Sequence, residues 1–331
     1  MGAKHKMKVM NLVQAINDAL DLKLKDDSNI VTYGEDIGVE GGVFRVTSGL
    51  QEKHGEHRVF DSPLAESTIV GAAVGMCAAG LRPIVEMQFS GFVYPAMNQI
   101  ITHVARMRNR TRGKYKMPMV IRMPYGGNIK ALELHSESME ALFAHVPGLK
   151  VIIPSTPYDA KGLLISAIED DDPVIFMEPK KVYRAIKQEV PEELFRLEIG
   201  KARVLNEGTD ITVVTYGAMV REVQRALVMA KQNNISVELI DLRTIYPIDK
   251  DTISESIKKT GKLLIVNEGP TSYGVGAELI ALANEEAFLY LEAPPTRLGG
   301  FDTVPPLPQG EHFYFHSPER IFYEIQKVLK F

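Results

Sequence analysis

Apolar positions along the chain recur in two rhythms, and the switches between them mark the elements. Helical spacing over Val9–Leu22 predicts a first helix, and the apolar run Ile30–Tyr33 predicts a strand ending at the acidic turn Gly34-Glu35-Asp36. The unit repeats with Arg58–Phe60 as a strand and a turn at Asp61-Ser62-Pro63. A helix then runs through Ala79, with Ser62 as its N-cap and Pro63 in its first position. Pro83–Phe89 and Pro118–Met123 read as strands, separated by an amphipathic helix over Ala96–Arg108. Leu149–Ile153 (strand), Tyr158–Glu169 (helix) and Pro173–Met177 (strand) follow.

From Lys180 to about Asn206 the period fades and charge rises, which predicts a linker at 187–206 between domains 1–186 and 207–331. The alternation then restarts with strands at Ile211–Tyr216, Ser236–Leu242 and Leu263–Asn267. Helices are expected at Val220–Gln232, Thr252–Lys259 and Val275–Asn284. A Gly/Pro-rich loop spans Gly299–Gly310, and a last helix starts at Pro318. Strands alternating with helices predict an α/β fold of two doubly wound parallel-sheet domains. The length of 331 residues suits about two domains.

Composition narrows the function. With 38 Lys+Arg against 42 Asp+Glu, the formal charge of −4 gives no electrostatic footprint for nucleic acid. The single cysteine, Cys77, excludes an internal disulfide and any multi-cysteine metal site, and points to a cytoplasmic setting. The N-terminal stretch does not read as a signal peptide, and the most apolar run, Ile69–Leu81, is too short to span a bilayer.

Ligands of open parallel sheets bind beyond the carboxyl ends of the strands, so polar residues that follow strands carry the interest. Three stand out: Glu35, Glu66 and His135. Glu66 is either an acid favoured by a helix dipole or a functional carboxylate. The uncharged helix behind it is expected to be buried, where a carboxylate needs a polar partner. His135 follows the loop Pro124-Tyr-Gly-Gly-Asn128 and precedes a helix that Ser136 or Ser138 would cap. It reads equally as an active-site wall or as a capping, solvated histidine. His145 reads as structural. His312 and His316 have metal-pair spacing without an evident third ligand, and Gly274-Val-Gly276 suggests close packing more than a dinucleotide loop. There is no phosphate loop of the GxxxxGK[ST] kind and no GxSxG elbow.

Several motifs occur together in order: G-E-D-I-G-V-E-G-G-V-F (34–44), F-D-S-P-L-A-E (60–66), P-I-V-E-M-Q-F (83–89), E-L-H-S-E-S (133–138) and A-K-G-L-L-I-S-A-I-E-D-D-D-P (160–173). With D-I-T-V-V-T-Y-G-A-M-V (210–220) and D-L-R-T-I-Y-P-I-D (241–249), they span nearly the whole chain. The set resembles the beta subunits of the thiamine-diphosphate-dependent decarboxylating component of 2-oxo acid dehydrogenase complexes, the pyruvate and branched-chain group. The resemblance implies a pyrimidine-binding domain followed by a transketolase C-terminal-like domain.

By the same resemblance, Glu66 matches the glutamate that shares a proton with the aminopyrimidine ring of thiamine diphosphate, favouring the tautomer that activates the cofactor. His135 matches an active-site histidine near the substrate and the arriving lipoyl group. Gln88 and Phe92 match cofactor-lining positions, and Glu35 a carboxylate near cofactor and interface. A potassium site is implied at Met119, Ala167, Ile168, Asp170 and Asp172, mostly through backbone oxygens. No G-D-G motif for the Mg²⁺-diphosphate occurs, so Mg²⁺ and the phosphates are expected on an alpha subunit, with the active site shared in an α2β2 heterotetramer.

The uncharged helix Ile69–Ala79 with the loop Phe89–Tyr94 would serve as interface with the alpha subunit, and a beta–beta contact is implied through the second domain. A lipoyl acyltransferase core protein would dock on the second domain, with Glu285, Glu286 and the Phe331 carboxylate as candidates. The expected substrates are branched-chain 2-oxo acids, pyruvate or both, leaning to a broad or branched-chain specificity. The alternatives are an acetoin dehydrogenase beta subunit and a non-catalytic assembly subunit.

Overall fold

The computed structural model describes residues 6–331. They form two compact units, one of the chain up to Tyr125 with Leu142–Ile199, the other of Gly126–Ala141 with Gly200–Phe331. Residues 126–141, inside the span expected for the first domain, therefore cluster with the second unit.

The first unit contributes β1 (Met7–Met10), β2 (Ile30–Gly34), β3 (Val59–Asp61), β4 (Arg82–Glu86), β5 (Val120–Tyr125), β6 (Lys150–Ile152), β7 (Val174–Pro179) and β8 (Gln188–Pro191). Its main sheet runs β6-β7-β5-β4-β2-β3, every neighbouring pair parallel. Strands covered on both faces read as continuous apolar runs, and β2, β5 and β7 are buried at every position.

The first helix spans Leu12–Asp26, fixed by a reciprocal capping box between Asn11 and Gln14. It starts later than its periodicity suggests because Met7–Met10 is a strand, paired antiparallel to β8. That partner lies within the expected linker. Lys161, fully buried in the Pro157–Glu169 helix, pins the ribbon by donating to the carbonyl of Pro191 (2.5 Å) while pairing with Asp18 (2.6 Å).

The expected helix over Ala96–Arg108 is broken. A 3₁₀ stretch, Ser90–Ala96, contains Pro95 and is followed by Met97–Gln99, a π segment at Ile100–Val104 and Met107–Arg110. Proline removes a donor and crowds the preceding turn, so the ladder changes pitch there.

The second unit contains β9 (Arg203–Asn206), β10 (Ile211–Thr215), β11 (Val237–Asp241), the short β12 (Thr244–Tyr246), β13 (Leu263–Pro270) and β14 (Thr296–Gly300). Its sheet runs β14-β13-β10-β11-β9, parallel except for β9, which pairs antiparallel with β11. Helices Ala218–Gln232, Lys250–Thr260, Val275–Ala287 and Pro318–Val328 accompany it. β9 lies in the expected linker, and β14 begins before the expected Gly/Pro loop and ends inside it. Gly276 opens toward β14, where a Cβ would stand 3.2 Å from Arg297 Cβ, so close helix–strand packing explains this glycine. No helix among the described residues is long and apolar enough to cross a membrane.

Candidate active site

Three of the residues singled out in the sequence meet at the carboxyl ends of neighbouring strands. Glu35 follows β2 directly, Gln88 comes two residues after β4, and Glu66 opens the helix that follows β3. β2 lies between β3 and β4, so these loops share one edge of the sheet. Burial pushes the Glu35 carboxyl above its ordinary value, and the negative charges of Asp36 and Glu66 push it further. Gln88 Nε2 donates to Asp36 Oδ2 across 3.3 Å.

Asp36 has a left-handed backbone (φ 58°), and its carbonyl accepts the Gly42 amide (2.8 Å), folding the glycine-rich loop back over the strand ends. Phe92 is half-buried in the Ser90–Ala96 turn, edge-on to Phe89 at 5.4 Å, and Lys180 Nζ lies 5.4 Å from the Phe89 ring.

The Glu66 helix differs from expectation at both levels. It spans Glu66–Ala78 with Ala65 as an N-cap that makes no side-chain bond, and Ser62 instead donates its amide to Gly34 (2.9 Å). Glu66 is thus the first helical residue, half-buried at the positive end of the dipole. The helix is not buried all round. Ile69, Val70, Ala73 and Cys77 face inward, with the Cys77 thiol pushed up to about 12 by burial, while Thr68, Ala72, Gly75 and Ala78 are exposed. An uncharged, small-residue face left open by its own unit is the surface the interface expectation concerns.

Beneath these loops lies a charge network that the sequence reading did not single out. Arg122, fully buried, donates to Glu178 from Nε (2.7 Å) and Nη2 (3.1 Å) and to Glu86 from Nη1 (2.8 Å). The Tyr183 hydroxyl donates to Glu178 (2.6 Å). Burial raises the Glu86 carboxyl, opposed by Arg122 and reinforced by Glu178. The available signal was a charge set within each of three apolar runs, Glu86 in β4, Arg122 in β5 and Glu178 in β7.

In the second unit, His135 sits in an irregular segment, and regular helix resumes only at Glu140, so neither Ser136 nor Ser138 opens it. His135 Nδ1 lies 2.8 Å from the Glu133 carbonyl. A carbonyl only accepts, so Nδ1 carries the proton and, in the neutral ring, Nε2 presents its lone pair. Deeper in this unit, burial pushes the Glu140 carboxyl up to about 7, although the Tyr216 hydroxyl donates to it (2.8 Å).

His145 and His312 are exposed, whereas burial lowers the buried His316 to about 4. The helix Glu311–Tyr314 ends before His316, so the two histidines with metal-pair spacing occupy different environments. Glu285, Glu286 and Phe331 are exposed, and Glu286 lies 3.8 Å from Lys250.

The oxygens implied for potassium are engaged within the chain. The Met119 carbonyl accepts the Val174 amide (3.0 Å) and that of Ala167 the Asp170 amide (3.4 Å). Arg82 Nη1 donates to the carbonyls of Ile168 (3.1 Å) and Asp170 (3.0 Å). Lys150 pairs with Asp170 (2.6 Å), Arg108 with Asp172, and Lys116 and Arg82 with Asp171. Four side-chain cations thus face three aspartates. A guanidinium seated on two of the expected donors repels a further cation, so this set does not fit a potassium ion.

Comparison with known proteins covers both units. The family "Transketolase, pyrimidine binding domain" matches residues 8–186, and "Transketolase, C-terminal domain" matches 200–321. The chain is 57% identical over 324 residues to the pyruvate dehydrogenase E1 component subunit beta of Acholeplasma laidlawii, covering 98% of this chain and 99% of the relative. It is 50% identical to the subunit of the same name from Bacillus subtilis, covering 98% of this chain and 100% of that one. Among solved structures, a split-gene transketolase described as an inactive beta4 tetramer superposes with a TM-score of 0.77 at 22% identity, covering 97% of this chain and 99% of the other. That likeness bears on the fold.

Proposed function

The chain belongs to the transketolase-like family of thiamine-diphosphate-dependent 2-oxo acid dehydrogenase beta subunits, and on that premise we propose that it is the beta subunit of a pyruvate dehydrogenase E1 component. Relatives at 50–57% identity carry that name, which supports pyruvate over the expected lean to branched-chain acids. The observation that carries a catalytic reading over an assembly role is the convergence of Glu35, Asp36, Glu66 and Gln88 at the carboxyl ends of β2, β3 and β4.

These residues fit the aminopyrimidine end of thiamine diphosphate. Glu66, half-buried at a helix start, would hold a proton against the ring nitrogen, with the Glu35 carboxyl beside it. Phe92, backed by Phe89, supplies an apolar wall, and Gln88 fixes the Asp36 loop. When bound, the cofactor supplies the carbon nucleophile and the electron sink for decarboxylation. In the second unit, the tautomer fixed by Glu133 leaves His135 Nε2 to take or return a proton during acyl transfer to lipoamide.

The missing G-D-G motif supports a reading in which an alpha subunit holds Mg²⁺ and the diphosphate, in an α2β2 enzyme with a beta–beta contact. The exposed Thr68–Ala78 face would lie at a subunit interface, and a cytoplasmic location follows from this role. The acyltransferase core would dock near Glu285, Glu286 and Phe331. Domain limits of 1–186 and 207–331 remain the proposed division, with β8 and β9 in the intervening span.

Reconstitution with the alpha chain tests this reading, by comparing turnover of pyruvate, 3-methyl-2-oxobutanoate and acetoin. Preference for pyruvate is expected. Turnover of acetoin alone would overturn it.

A further inference from the structure

The segment from Gly126 to His135 carries no regular structure, and Gly126, Asn128, Lys130 and Leu134 all have positive φ. With no helix or ladder, its shape rests on where its backbone amides go. Two amide bonds are local, Gly126 to the carbonyl of Glu137 just beyond the segment (2.9 Å) and His135 to the Leu132 carbonyl (3.3 Å). Three go to carboxylates far along the chain. Glu268, on β13, accepts from Gly127 N (2.7 Å). Glu311, opening the Glu311–Tyr314 turn, accepts from Ile129 N (3.1 Å) and Lys130 N (2.7 Å). Both acids are buried, at 4% and 3% exposure.

The loop is shaped to receive them. A Cβ on Gly126 would stand 3.0 Å from both Glu268 oxygens, and one on Gly127 would strike the Phe315 ring at 2.1 Å. A carboxylate taking backbone amides makes stronger, more directional bonds than a neutral acceptor, and an ion is costly to bury without them.

We propose that Glu268 and Glu311 are positioning residues that clamp the 126–135 segment and thereby hold His135 in its working orientation. They do so on the backbone, without touching substrate or cofactor. The proposal rests on the reading of His135 as a proton-handling group.

The test uses the enzyme reconstituted with its alpha chain, carrying Glu311→Gln or Glu268→Ala. Glu311 takes an amide on each oxygen, so the near-isosteric glutamine must set its NH₂ against one of them, and Glu268→Ala removes the acceptor of the Gly127 amide. Hydrogen–deuterium exchange should accelerate in peptides covering 126–135 and stay unchanged across β10 and β11. Turnover should fall about 10- to 100-fold, as expected when a catalytic group is misplaced by about an ångström, with KM for the 2-oxo acid little altered. The limb of the pH–rate profile that is lost in His135→Ala should shift.

Unchanged exchange in 126–135, or faster exchange with full turnover and an unmoved pH profile, would overturn the clamp. Failure of the His135 reading has a separate signature, full activity in His135→Ala.

Discussion

Arg82 Nη1 lies 3.0 Å from the carbonyl oxygen of Asp170, so a guanidinium takes the place among the 168–172 oxygens that the family resemblance gives to potassium. This turn is therefore braced by the chain's own cations. The thermal midpoint should be the same in KCl and in NaCl of equal ionic strength. A stabilisation of several degrees specific to K⁺ would contradict this. Arg82→Ala should lower stability by about 1.5–3 kcal/mol, the range for hydrogen bonds to a charged group, measured by denaturant unfolding.

Glu140 sets a signed pH dependence. Its folded value of about 7 stands above the ordinary 4.5, so between these limits the folded state holds more protons than the unfolded state. Stability from this group is intact below about pH 4.5 and is lost as pH rises through 7, by about 3 kcal/mol in total. Glu140→Gln keeps an acceptor for Tyr216 and removes the titration. The variant should match the parent near pH 4.5 and gain relative stability toward pH 8. Parallel stability profiles across that range would refute it. His316 works with the opposite sign, adding stability as pH rises from about 4 to 6.5, and is common to both proteins.

Arg122 pairs with both Glu86 and Glu178, each 5% exposed or less in its side chain. Arg122→Met would leave two buried carboxyls facing each other, at a cost of about 3–5 kcal/mol. Urea unfolding measures this, and a loss below about 1 kcal/mol would show that the network contributes little.

How much of this was readable in advance follows from the range over which each feature is encoded. β2, β5, β7, β10 and β13 were visible because buried parallel strands are contiguous apolar runs with local turn signals. β1 and β8 were not, since Met7–Met10 is largely exposed and its ladder partner lies some 180 residues on. β14 hides in Thr-Arg-Leu-Gly-Gly, whose glycines read as loop.

At the site, Glu35 and Glu66 were legible because each follows a strand or opens the helix after one, and Gln88 through the family resemblance. The roles of Glu140, Glu268 and Glu311 were not, because each is defined by what it meets across the second unit. For Glu311 that partner is a backbone segment some 180 residues away.

The most direct measurement is the decarboxylation rate of the reconstituted enzyme carrying Glu66→Gln, with thiamine diphosphate binding followed alongside. Glutamine preserves size and helix position but cannot hold an acidic proton at the ring nitrogen. The rate should fall by about 10²–10⁴-fold, the range for loss of a positioned acid–base group, while the cofactor still binds. Retention of full decarboxylation by Glu66→Gln would contradict the assignment and leave the chain an assembly subunit.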